Sequence, residues 1–113
     1  MNADERQFLL TTVWMFMRHG RRDRARRICE ALCEADPHDG TAAVALAELL
    51  VSDGEPEKAL NVLNAADIPA NLAHVEAVLE TRTLRLLGKT AEANERWRRH
   101  LAEQKGANRK WIG

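Results

Sequence analysis

Tyrosine is absent from this 113-residue chain, and glycine and proline number only 6 and 3. Such scarcity removes much of the turn punctuation and aromatic content that a strand-rich domain uses. What remains is dominated by alanine, leucine, glutamate and arginine, which are strong helix formers. The composition therefore predicts an all-α domain. At this length the chain makes one domain with a single modest core.

Charge of one sign is also missing. Lysine and arginine total 17, aspartate and glutamate total 17, and the formal net charge is zero. Nucleic-acid binders draw most of their affinity from a basic surplus or a basic face. The balance argues against that class, although the run RHGRRDRARR from Arg18 to Arg27 keeps a local basic stripe as the less favoured alternative.

No apolar run is long enough to span a bilayer, which takes roughly 20 residues. The longest candidate, FLLTTVWMFM from Phe8 to Met17, follows Asp4 and Glu5 and precedes no small-residue cleavage site. The expectation is a cytoplasmic chain with no membrane insertion. Cysteine is nearly absent too. Cys29 and Cys33 stand four apart in a helical segment, a spacing that generally holds Cβ atoms beyond the roughly 3.5–4.5 Å of a disulfide. They read as thiols in a reducing compartment.

Motifs of chemistry are lacking as well. LGKT, Leu87 to Thr90, has the ending of a phosphate-binding loop, but its first glycine would fall on Thr83 and a helix precedes it. Cys29, Cys33 and His38 lack a fourth zinc ligand and the tight pair that structural zinc sites use. His19, His38, His74 and His100 are scattered, and Glu30 and Glu34 lie on an arginine-rich helix, as a solvated face does. No catalytic motif, metal site or cofactor site is expected, and the chain reads as a non-enzyme.

What is there is a period. Gly20, Gly54 and Gly88 are evenly spaced along the chain, and an alanine follows each by five positions: Ala25, Ala59 and Ala93. A glycine permits a sharp turn between antiparallel helices, and a small alanine lets the second helix pack closely on the first. Four positions after each alanine come Cys29, Leu63 and Trp97, in the place of a large apolar residue.

This pattern resembles the tetratricopeptide repeat, both in the residues and in their spacing. The resemblance predicts three helix–turn–helix repeats, about 6–39, 40–73 and 74–105, in a single domain over 1–105, forming a short right-handed α-solenoid. Six helices are expected, near 4–18, 22–35, 41–52, 56–66, 70–87 and 90–105. Residues 106–113 are expected to form a flexible tail.

In such arrays the first helix of each repeat lines a concave groove. On this chain the resemblance assigns the groove to Leu10, Trp14, Met17 and Arg18, then Val44, Glu48 and Val51, then Val78, Arg82 and Arg85. Glu48 is expected to pair with Arg82 or Arg85, or with a partner's basic residue. The groove is mainly apolar, which suits a segment with hydrophobic anchors. It carries Leu10 and Trp14 where carboxylate-clamping arrays use lysine and asparagine, which disfavours that mode. The first helix is apolar nearly all round, so it is buried either by the array's own curvature or by a partner or second copy.

The N-terminal half is similar, more narrowly, to the small tetratricopeptide chaperones of bacterial type III secretion. The features are the Phe8–Leu10 and Trp14 run, the His19–Gly20 turn, the Arg24–Ala25 pair, Ala31–Leu32 and the closing Asp36–Pro37. Length and three-repeat form resemble the YscY-like class. That resemblance implies a cytosolic bacterial chaperone or adaptor. Its partner would be a small X-type export protein presented to the export gate, with a homodimer when the client is absent. The alternative is a general peptide-binding scaffold outside secretion.

Overall fold

A computed structural model describes the backbone of residues 1–112 and the side chains of residues 1–107. Among the described residues there are six α-helices: α1 (Ala3–Arg18), α2 (Arg22–Ala35), α3 (Gly40–Ser52), α4 (Pro56–Ala65), α5 (Ala73–Leu86) and α6 (Thr90–Ile112). They pack as consecutive pairs, α1 with α2, α3 with α4 and α5 with α6, and α2, α3, α4 and α5 join the pairs into an array. This is the all-α architecture of three helix–turn–helix repeats that the period predicts.

The three intra-repeat turns close alike. Gly20, Gly54 and Gly88 have φ of 73°, 79° and 76°, in the left-handed region that glycine adopts without strain. After each, the next residue donates its N–H to a carbonyl five positions back: Arg21 to Phe16 at 2.8 Å, Glu55 to Leu50 at 2.8 Å and Lys89 to Leu84 at 2.9 Å. Each glycine's own N–H goes three positions back, at 3.0–3.3 Å. These are the paired bonds of a Schellman helix stop. The alanines that follow, Ala25, Ala59 and Ala93, are each 0% exposed.

Asn2 starts α1 by accepting the Glu5 N–H at 2.8 Å, and Asp4 and Glu5 complement the helix dipole. Pro56 opens α4, where its missing N–H costs no helical bond. The central helix α3 is apolar nearly all round and buries residues on every side, from Ala42 to Val51. The core gathers around it: Val13, Cys29, Leu46, Leu49, Leu50, Leu63 and Leu79.

The junctions between repeats carry a contact that no local pattern announces. Asp67 donates its N–H to the His38 carbonyl at 3.0 Å, forming a one-residue parallel bridge between the α2–α3 and α4–α5 connections. At this crossing a Cβ on Gly40 would overlap the Asp67 carbonyl and stand 2.7 Å from Pro69 Cδ. Gly40 is there for space rather than for its backbone angle.

Two boundaries differ from expectation. Residues Ala70–Leu72 form a 3₁₀ turn, and α5 proper begins at Ala73. Pro69 sets this, because its carbonyl accepts the Leu72 N–H in a tight three-residue closure at 2.9 Å. Over the residues expected as a tail, α6 continues through Gly106 to Ile112. A single helical glycine costs about 1 kcal/mol against alanine, and Ala107, Arg109 and Lys110 favour continuation. Gly113 and the Trp111 side chain lie outside the described residues.

Of the six arginines between Arg18 and Arg27, two are engaged across a repeat boundary. Arg26 meets Asp53 at 2.8 Å, Glu55 at 2.6 Å and Glu30 at 3.3 Å, and Arg22 reaches Asp53 at 3.9 Å. Glu30 is the partner that Arg26 finds within its own helix, whereas the shorter pairs tie α2 to the turn between α3 and α4. Arg24 lies over the Phe16 ring, 5.9 Å from its centre.

Candidate partner-binding groove

The first helices of the repeats, α1, α3 and α5, bring one set of the anticipated residues together. Leu10, Trp14 and Met17 from α1 and Val44 and Glu48 from α3 line a pocket of about 350 Å³. Val13, Thr41, Ala45, Leu72 and Val75 complete it. Leu10 and Val44 form its floor, at 6% and 8% exposure, while Trp14 stands at the rim, 65% exposed.

The other anticipated residues lie elsewhere. Val78, Arg82 and Arg85 line a neighbouring pocket of about 440 Å³ with Thr81 and Trp97. Val75 of the first pocket and Val78 of the second lie one turn apart on α5, both about 45% exposed. Arg18 is exposed at the end of α1 and lines neither. Val51 lines neither pocket: it is 7% exposed and belongs to the central cluster with Leu79, where α5 packs across α3.

Thr41 and Val75 were missed, although the repeat points to them: they are one full period apart and one turn before Val44 and Val78. Leu72 carries no such signal, since it sits in the 3₁₀ turn that interrupts the pattern.

Glu48 is half-buried in the apolar pocket. Among the described residues it forms no ion pair within 4.0 Å, and neither do Arg82 and Arg85. The expected pairing of Glu48 with either arginine is therefore not made; those arginines line the pocket beside Trp97 instead. Acid–base pairs do form at the junctions and between α5 and α6. Arg96 holds Glu76 at 2.6 Å and Glu80 at 2.8 Å, largely out of water. Burial, then the neighbouring Glu80, pushes the Glu76 carboxyl up to about 7.

The outer flank of α1 is also uncovered. Phe8 is 70% and Met15 56% exposed, whereas Leu10 and Val13 are buried. Curvature of the array thus covers only one side of this helix.

Reactive chemistry has little to work with. Cys29 and Cys33 are both free thiols. Burial pushes them up to about 12 and about 11, so neither is a thiolate at neutral pH. Among the described residues no three histidine, cysteine, aspartate or glutamate side chains gather as metal ligands. No described helix is long and apolar enough to cross a membrane.

The tetratricopeptide repeat family matches the chain over residues 16–80, more than half of its length. The chain belongs to the tetratricopeptide repeat family. No curated protein and no solved structure matches it. Tetratricopeptide arrays are protein-interaction scaffolds, and the apolar pocket described above lies on the face built by the first helices of this array.

Proposed function

We propose that this tetratricopeptide domain is a non-enzymatic chaperone or adaptor that holds a protein partner in the pocket between α1, α3 and α5. The observation that carries the reading is the pocket itself. Trp14 stands 65% exposed over a floor of Leu10 and Val44, with Leu72 and Val75 opposite. Exposed apolar surface of this kind usually marks an interaction site. The open flank of α1, with Phe8 and Met15, extends it.

The partner is assigned by resemblance. The run from Arg6 to Asp39 is similar to the small chaperones of bacterial type III secretion, YscY-like in length and repeat number. On that reading the chain works in the bacterial cytoplasm. It binds a small X-type export protein, keeps its apolar surface from aggregating and delivers it to the export gate. A client-free homodimer, covering the same surface, belongs to this reading.

The test is coexpression with the small X-type export protein of the same secretion system, followed by copurification and sedimentation. A stoichiometric complex is expected, lost on Trp14→Asp while the helical circular-dichroism signal is kept. Trp14 suits this test better than Leu10, which is buried against Leu32 and Ala42. Absence of a complex, with binding to unrelated helical peptides retained, moves the chain to a scaffold role outside secretion. A complex that tolerates Trp14→Asp contradicts the pocket assignment.

A further inference from the structure

Trp14, Glu48 and Arg82 occupy the same position of successive repeats, on α1, α3 and α5. They form a row across the array: an exposed aromatic, a half-buried acid and an exposed base, with Arg85 one turn beyond Arg82. Elsewhere among the described residues the domain pairs its partly buried charges closely. Arg6, Arg26 and Arg96 each meet at least one carboxylate at 2.8 Å or less. Along this row, among the described residues, no such pair forms. A carboxylate set in apolar surroundings is stabilised by a cation brought to it, and exposed guanidinium groups favour carboxylates.

α3 packs on α5, and packed helices stand about 8–10 Å apart, so the step from Glu48 to Arg82 is about 10 Å. A helix rises about 1.5 Å per residue, and one heptad returns to the same face after about 10.5 Å. An extended strand covers that distance in about three residues, an odd number, which turns the side chain to the opposite face. The spacing selects a helix.

We propose that the groove binds a partner helix whose inward face presents three groups about one heptad apart. They are an apolar anchor at Trp14, a lysine or arginine at Glu48 and an acidic residue at Arg82 and Arg85. This rests on the reading of the concave face as the partner site, and adds the charge order that orients the partner and fixes its register. Neutral apolar helices lack that order, and so does a helix with the two charges exchanged.

Three fluorescein-labelled synthetic helices, each three heptads long and sharing one leucine stripe, test it. They carry anchor–Lys–Glu, anchor–Gln–Gln or anchor–Glu–Lys at heptad spacing, and binding to the full chain is read by anisotropy. The first is expected to bind about tenfold tighter than the second, and tighter still than the third. On the isosteric Glu48→Gln chain the advantage from lysine should vanish. Glu48→Lys, where it keeps its helical signal, should favour the exchanged peptide. Equal binding of all three peptides, abolished by Trp14→Asp, overturns the charge order and leaves the groove standing. No binding by any peptide, or binding indifferent to Trp14→Asp, overturns both.

Discussion

Arg6 grips Asp39 with two parallel bonds, Nε to Oδ2 at 2.7 Å and Nη2 to Oδ1 at 2.8 Å. The same carboxylate accepts the Ala42 N–H at 3.2 Å and so caps α3. One buried side chain thus fixes the first helix of repeat one to the start of repeat two. Asp39→Ala removes both functions and is expected to cost about 2 kcal/mol, of which capping is typically about 1. Arg6 is 40% exposed at its side chain, so the Arg6–Asp39 coupling in a double-mutant cycle should be smaller, about 1 kcal/mol. Urea unfolding of the four chains measures it. Hydrogen bonding to Arg6 holds the Asp39 carboxyl below the usual range. Its contribution is therefore present above the ordinary carboxylate range and is lost as pH falls through the lowered value.

Gly40→Ala places a methyl group onto backbone at the repeat junction, where neither the Asp67 carbonyl nor Pro69 can yield as a flexible side chain would. Overpacking of this kind costs about 1–3 kcal/mol. Gly54→Ala meets no neighbour within 4 Å and suffers only from its φ of 79°, a cost of about 1–2 kcal/mol. Thermal unfolding of both, with Gly106→Ala as a control expected to stabilise by up to about 1 kcal/mol, separates space from angle.

Within the Glu76–Arg96–Glu80 cluster, Glu76 sets a pH trend of opposite sign to that of Asp39. Burial and the adjacent Glu80 raise Glu76 to about 7, so the folded state holds a proton that the unfolded chain releases near the ordinary glutamate value. Stability from this group is complete below that value and declines as pH rises toward about 7. Glu76→Gln should flatten the decline in melting temperature between pH 5 and pH 8. An unchanged slope would mean that Arg96 neutralises both carboxylates.

The repeat was legible because its period is written in single residues with no substitute: glycine for the left-handed turn, alanine for close approach. The groove was legible where it follows that register, at Leu10, Trp14, Val44 and Glu48, and Val75 could have been read the same way. Val51 was not, because its burial depends on how α5 crosses α3, a tertiary fact without a local signature. Arg6–Asp39 and Arg26–Asp53 join residues 33 and 27 positions apart, so no helical spacing announces them. Of the partners expected for Glu48, the repeat register offered Arg82 and Arg85, and only geometry shows that they line another pocket.

On the proposed function, the pocket under Trp14 receives the partner. Trp97→Phe with Trp111→Phe leaves Trp14 as the sole tryptophan, and its emission during titration with the copurified partner reports directly on this surface. A saturable blue shift, with the midpoint matching the binding constant from an independent method, is the predicted result. A partner that binds while Trp14 keeps its solvent-exposed emission would contradict the account.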